Sequence, residues 1–117
     1  ARVRQLTIFE RDASRSGRVL PADEALRELP KCDIAVITST ALIVREMDAL
    51  LEASKACREV ALVGASTPLV PEVFGSHGVT LLSGVIVTDP AGILQVVSEG
   101  GGMGQFGKMV GKVKIRV

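Results

Sequence analysis

Two hydrophobic patterns alternate along the chain: short unbroken apolar runs, and stretches in which apolar residues return every three or four positions. Residues 6–9 (Leu6, Thr7, Ile8, Phe9) form the first run and pass into Glu10, Arg11 and Asp12 and a Ser/Gly/Arg loop at 13–18, as a strand ending at the surface does. Ala22, Ala25, Leu26 and Leu29 then predict a short amphipathic helix stopped by Pro30. Residues 34–37 are apolar throughout, the pattern of a strand covered on both faces, and the apolar run 60–63 predicts a further strand. Between them, Ile43, Met47, Leu50, Leu51 and Ser54 mark one face of a helix, with Arg45, Glu46, Asp48, Glu52 and Lys55 mostly on the other.

The second half repeats the theme. Pro71 opens a short helix through Val73 and Phe74 that ends in Gly75. Residues 79–82 and 85–87 are strand-like and flank Ser83 and Gly84, which predicts a bent strand with a bulge at the glycine. Asp89 before Pro90 is a helix start, with Ile93, Leu94 and Val97 as its buried stripe and Gly100, Gly101 and Gly102 as its stop. Val113, Ile115 and Val117 alternate with basic residues like an edge strand.

Strands alternating with helices predict βαβ units, hence an α/β fold of Rossmann-like type with a mostly parallel sheet and flanking helices, in one domain over 1–117. Ligands of such sheets bind beyond the carboxyl ends of the strands. The candidate ligand-binding residues are therefore Glu10 after the first strand, Thr38, Ser39 and Thr40 after the second, and Gly64, Ser66, Thr67 and Pro68 after the third. Gly64 permits close backbone approach, and the hydroxyls and free amides around it suit an anion or carboxylate. Glu10 stands where a carboxylate would accept hydrogen bonds from ribose hydroxyls, the basis of an alternative reading as a nucleotide- or adenosyl-binding transferase-like domain.

Charge narrows the partners. Fourteen basic and thirteen acidic residues are interspersed, and with no Trp or Tyr for base stacking there is no footprint for nucleic acid. No apolar run approaches the roughly 20 residues of a membrane span. The start of the chain lacks the apolar core of a signal peptide and two cysteines make no disulfide framework, so the expected compartment is the cytoplasm. Cys32, Cys57 and His77 sit on three different elements without metal-ligand spacing, which disfavours structural zinc and reads the cysteines as inert thiols at the amino ends of strands. No nucleophile and base pair emerges, Ser66 lacks the surroundings of a nucleophile elbow, and no catalytic residue is assigned; whether the domain is part of an enzyme stays open.

Taken in order, these loops, the segment from Ser83 to Pro90 and the run Glu99, Gly100, Gly101, Gly102 resemble the C-terminal Rossmann-like domain of the putative heavy-metal chelation family. The resemblance is sharpest at Gly64-Ala65-Ser66-Thr67-Pro68, where the family shows Gly-Pro-Ser-Thr-Pro, and at the Val-Thr-Asp ending in Asp89. Where the family has Thr-Gly-Ser/Thr followed by an Asn and a Thr, this chain has Thr38-Ser39-Thr40, Val44 and Glu46. The resemblance implies a small-ligand or metal-ligand site shared with an N-terminal domain, with a metal ion as the implied cofactor. It also implies that the first βα unit is lacking, because the family's domain opens with one and this chain starts, without Met, at the strand that follows it. The expectation is a part of a larger protein or assembly, a structural subunit completing a partner's sheet or a homo-oligomer, because open sheet edges favour pairing with another chain.

Overall fold

The computed structural model describes residues 3–10 and 19–117, so the loop predicted at 13–18 and the charges of Arg11 and Asp12 lie outside the described residues. Its strands are β1 (Ile8–Glu10), β2 (Val19–Pro21), β3 (Ile34–Thr38), β4 (Glu59–Val63), β5 (Leu81–Val87) and β6 (Val110–Arg116). Its helices are α1 (Ala25–Glu28), α2 (Thr40–Ile43), α3 (Met47–Ala53), α4 (Pro71–Gly75) and α5 (Pro90–Ser98). Strands β3, β4 and β5 pair in parallel, β6 joins antiparallel at the edge, and β1 with β2 forms a separate two-stranded parallel sheet. This is the predicted mixed α/β, Rossmann-like architecture, with its sheet in two pieces.

The core lies on one face of the larger sheet. Ala35 and Ile37, Val60 and Leu62, and Leu82 point the same way and bury against Leu29, Met47, Leu51 and Phe74. On the opposite face Ile34 is 48% exposed and Val36 67%. The edge of β3 is also open. Ser39 N–H donates to Val63 O and Asp33 O accepts from Arg58 N–H, so alternation turns the N–H and C=O groups of Ile34, Val36 and Thr38 away from β4, where no strand of the described residues pairs with them.

Several local expectations are corrected. The first strand starts at Ile8 rather than Leu6 and pairs with β2, a strand of three residues that the hydrophobic pattern does not announce. The helix stopped by Pro30 is one α-turn flanked by 3-10 turns, and Pro30 sits inside the second of them. The helix expected from Ile43 to Ser54 breaks in two, because Arg45 takes a left-handed φ of 60°. Met47, Leu51 and Ser54 are buried on the second piece, whereas Ile43 is 72% exposed. Strand β5 has no bulge: its register with β6 runs unbroken from Leu81–Arg116 to Val87–Val110. Gly84 serves packing instead, since a Cβ there would stand 3.0 Å from Leu69 Cδ2 and 3.1 Å from Thr67 O.

Helix α5 begins as predicted, with the Asp89 carboxylate accepting from Gly92 N–H at 3.0 Å and Pro90 next to the cap. Its expected buried stripe is not buried: Leu94 is 70% and Val97 53% exposed. With little packing to hold it, α5 depends on its cap. Asp89→Ala is expected to cost about 1 kcal/mol and Asp89→Asn much less, read as shifts in the midpoint of chemical unfolding.

Candidate functional site

The parallel pairing of β3, β4 and β5 continues for one residue past the strands and then opens. Ser39 N–H donates to Val63 O at 2.9 Å and Gly64 N–H to Ser83 O at 3.0 Å. Beyond these bonds the two chains turn away to α2 and to the 64–69 segment, which lie side by side at the carboxyl ends. Gly64 makes close approach possible there: its φ is +137°, and an added Cβ would lie 2.5 Å from Ser39 Oγ. Ser39 is fully buried, with its Oγ donating to Val63 O at 3.2 Å and 3.0 Å from Ser66 Oγ. Ser39 has one hydroxyl proton, so when it serves Val63 the bond between the two serines is donated by Ser66. The exposed Ser66 then offers lone pairs outward, beside the exposed amides of Ala65 and Ser66, which no described residue engages.

Of the eight candidates, Ser39, Gly64 and Ser66 are in direct contact. Thr38 and Thr40 bond each other at 2.9 Å on the exposed rim. Thr67 turns inward: its N–H closes a turn on Gly64 O at 3.2 Å, and its buried Oγ1 has no hydrogen-bond partner. Pro68 follows, half-buried, and Glu10 closes β1 opposite Pro21 and takes no part in these contacts. A cleft of about 460 Å³ opens beside the end of β2, lined by Pro21, Asp23, Leu26, Glu46 and Leu50, none of them a candidate.

Among the described residues no group of three or more His, Cys, Asp or Glu side chains could hold a metal ion. The strand-end loops instead offer the amides of Ala65 and Ser66, donors for an oxyanion. At the other end of the strands Cys32 and Cys57 are free thiols. Burial, then neighbouring Cys32, then Asp33, raise the Cys57 thiol above its ordinary pKa. The sequence reading separates these cysteines; the signal it holds is that each stands two residues before its strand.

A second feature beyond the sequence ties β4 to β6 and to the residue that precedes β5. Glu59 on β4 accepts from Thr80 Oγ1 at 2.6 Å and from Arg116 on β6 at 2.7 Å. The Arg116 hydrogen bond, then that from Thr80, holds the Glu59 carboxyl below the ordinary carboxylate range against a smaller opposing desolvation. A depressed folded-state pKa means stability that is present above the unfolded value and lost as pH falls through the folded one. Unfolding midpoints followed from about pH 6 to pH 3 are therefore expected to drop faster for the native protein than for Glu59→Gln; parallel curves would remove this role.

No helix among the described residues is long and apolar enough to cross a membrane. No curated protein matches the chain. A solved protein of unknown function from Desulfitobacterium hafniense DCB-2 is 32% identical, with a TM-score of 0.84 over 95% of this chain and 44% of its own. Another, from Pyrococcus horikoshii, is 22% identical, with a TM-score of 0.85 over 93% of this chain and 45% of its own. This chain thus spans less than half the length of either, and both are described as members of one family. The profile of that same family matches residues 1–116, and the chain belongs to it: DUF364, "Putative heavy-metal chelation".

Proposed function

We propose that this domain supplies one wall of a small-ligand site at the carboxyl ends of β3 and β4, and that the ligand presents an oxyanion to the amides of Ala65 and Ser66, with the Ser66 hydroxyl, bonded to Ser39, holding that turn in place. The observation that carries this reading is the Ser39–Ser66 bond of 3.0 Å, which joins the two loops across Gly64. Thr38, Thr40, Thr67 and Pro68 flank these two loops. The family description supports a ligand that is itself a metal chelate. The chemistry of these loops agrees, since free backbone amides grip the carboxylates or phosphates of a chelator better than a bare cation.

The open edge of β3 and the exposed Val36 support a second element of the reading: another stretch of polypeptide, from a companion domain or a second copy, covers this side and closes the site. Relatives more than twice as long fit this picture. The free thiols suit a reducing compartment such as the cytoplasm.

Native mass spectrometry of the purified protein tests both elements. The expected spectrum shows a mass excess that disappears on denaturation and is absent in Ser66→Ala, carried by a defined oligomer or a two-domain chain. A bare native mass, or an excess that Ser66→Ala retains, would overturn the ligand site; a one-domain monomer would overturn the covering partner.

A further inference from the structure

We infer that Cys32 and Cys57 form a two-thiolate site for one soft, two-coordinate cation, copper(I) in kind, at the amino ends of β3 and β4. The pairing register places them together. Ile34 is aligned with Glu59 and every later pair keeps that offset; carried two residues back along each chain, it aligns Cys32 with Cys57. The backbones are still joined just beyond the strands, since Arg58 N–H donates to Asp33 O at 2.8 Å. The hydrogen bonds of the sulfurs give the same answer independently: Cys32 Sγ donates to Glu28 O and Cys57 Sγ to Leu29 O, each at 3.4 Å. Carbonyls of consecutive residues hold both sulfurs against one short stretch of backbone.

The chemistry follows from what is present. Both cysteines are half-buried and neither is in a disulfide, so they are reachable and free to ligate. No third His, Cys, Asp or Glu of the described residues completes a metal-holding group with them, which removes tetrahedral zinc. Thiolate pairs select soft cations, and copper(I) is satisfied by two of them. On binding, two S–H bonds break and two S–Cu bonds form, two protons leave to solvent, and no electron is transferred; the released carbonyls lose only weak S–H donors. The site lies at the opposite end of the strands from the Ser39–Ser66 loops and stands or falls without them.

The test is a titration of the reduced protein with copper(I) under anaerobic conditions, with bicinchoninate as competing chelator and chromophore. One copper per chain should leave the chelator. Cys32→Ser and Cys57→Ser should each weaken binding by at least about 100-fold, the most that loss of a mere supporting contact would give, and His77→Ala should leave it unchanged. Copper should also shield both cysteines of the native protein from alkylation, a readout that needs no variant to fold. No copper taken from the chelator, one copper shared by two chains, retention by a folded Cys32→Ser protein, loss in His77→Ala, or shielding of one cysteine alone would each overturn the site.

Discussion

Gly64→Ala is expected to destabilise the protein by about 3 kcal/mol, with contributions from backbone strain and a steric clash. A φ of +137° is open to glycine and strained for any residue with a Cβ, and the methyl would arrive 2.5 Å from the oxygen of Ser39. Ser39 cannot retreat, since it is fully buried and its N–H and Oγ both bond Val63 O. The midpoint of thermal unfolding should fall by about 10 °C for a chain of this size. A double-mutant cycle separates the two causes: Ser39→Ala removes the oxygen the methyl strikes, so Gly64→Ala should cost about 1 kcal/mol less in that background. Strict additivity would assign the whole effect to the backbone. Either way the turn that carries Ser66 is displaced, and ligand retention should be lost along with stability.

The hydrophobic pattern made the parallel strands legible because burial was the main demand on them. Residues 34–37 and 60–63 read as strands within a residue of β3 and β4, and Asp89 before Pro90 read as the cap that it is. The same pattern read β3 as covered on both faces, whereas Ile34 and Val36 are open on one; the sequence encodes a covering that the described residues do not provide. Leu94 and Val97 of α5 make the same point. What failed depended on single backbone angles or on distant neighbours. The break at Arg45 is one left-handed residue, and the glycine of β5 mimics a bulge although its purpose is to admit Leu69 and Thr67.

The candidate site was legible to the level of loops. That Thr38, Ser39, Thr40 and Gly64, Ser66, Thr67 stand at strand ends follows from alternation and the switch-point rule. That Ser39 and Ser66 touch while Thr67 turns inward depends on the 64–67 turn and was not legible. Glu10 illustrates the opposite case: its strand was foreseen, but the split of the sheet puts it on a different piece. The cysteine pair needed the register of β3 on β4, which hydrophobic runs do not specify.

Leu82→Ala is expected to cost about 3 kcal/mol, within the range for truncating a buried leucine. Leu82 has no exposed surface and sits in register between Leu62 and Ile115, so the central strand can close little of the cavity without parting from a neighbour. Val36→Ala measures the other face. On a side chain 67% exposed it should change stability by less than about 0.5 kcal/mol in this chain alone. If the proposed covering polypeptide is bound, the two substitutions should converge: Leu82→Ala keeps its cost, while Val36→Ala rises to about 1 kcal/mol or more as its methyls become buried. Denaturant midpoints of both variants, with and without the covering polypeptide, read this directly. A Val36→Ala effect that stays near zero with any larger form of the protein would overturn the proposed covering and leave the apolar run of residues 34–37 without one to explain it.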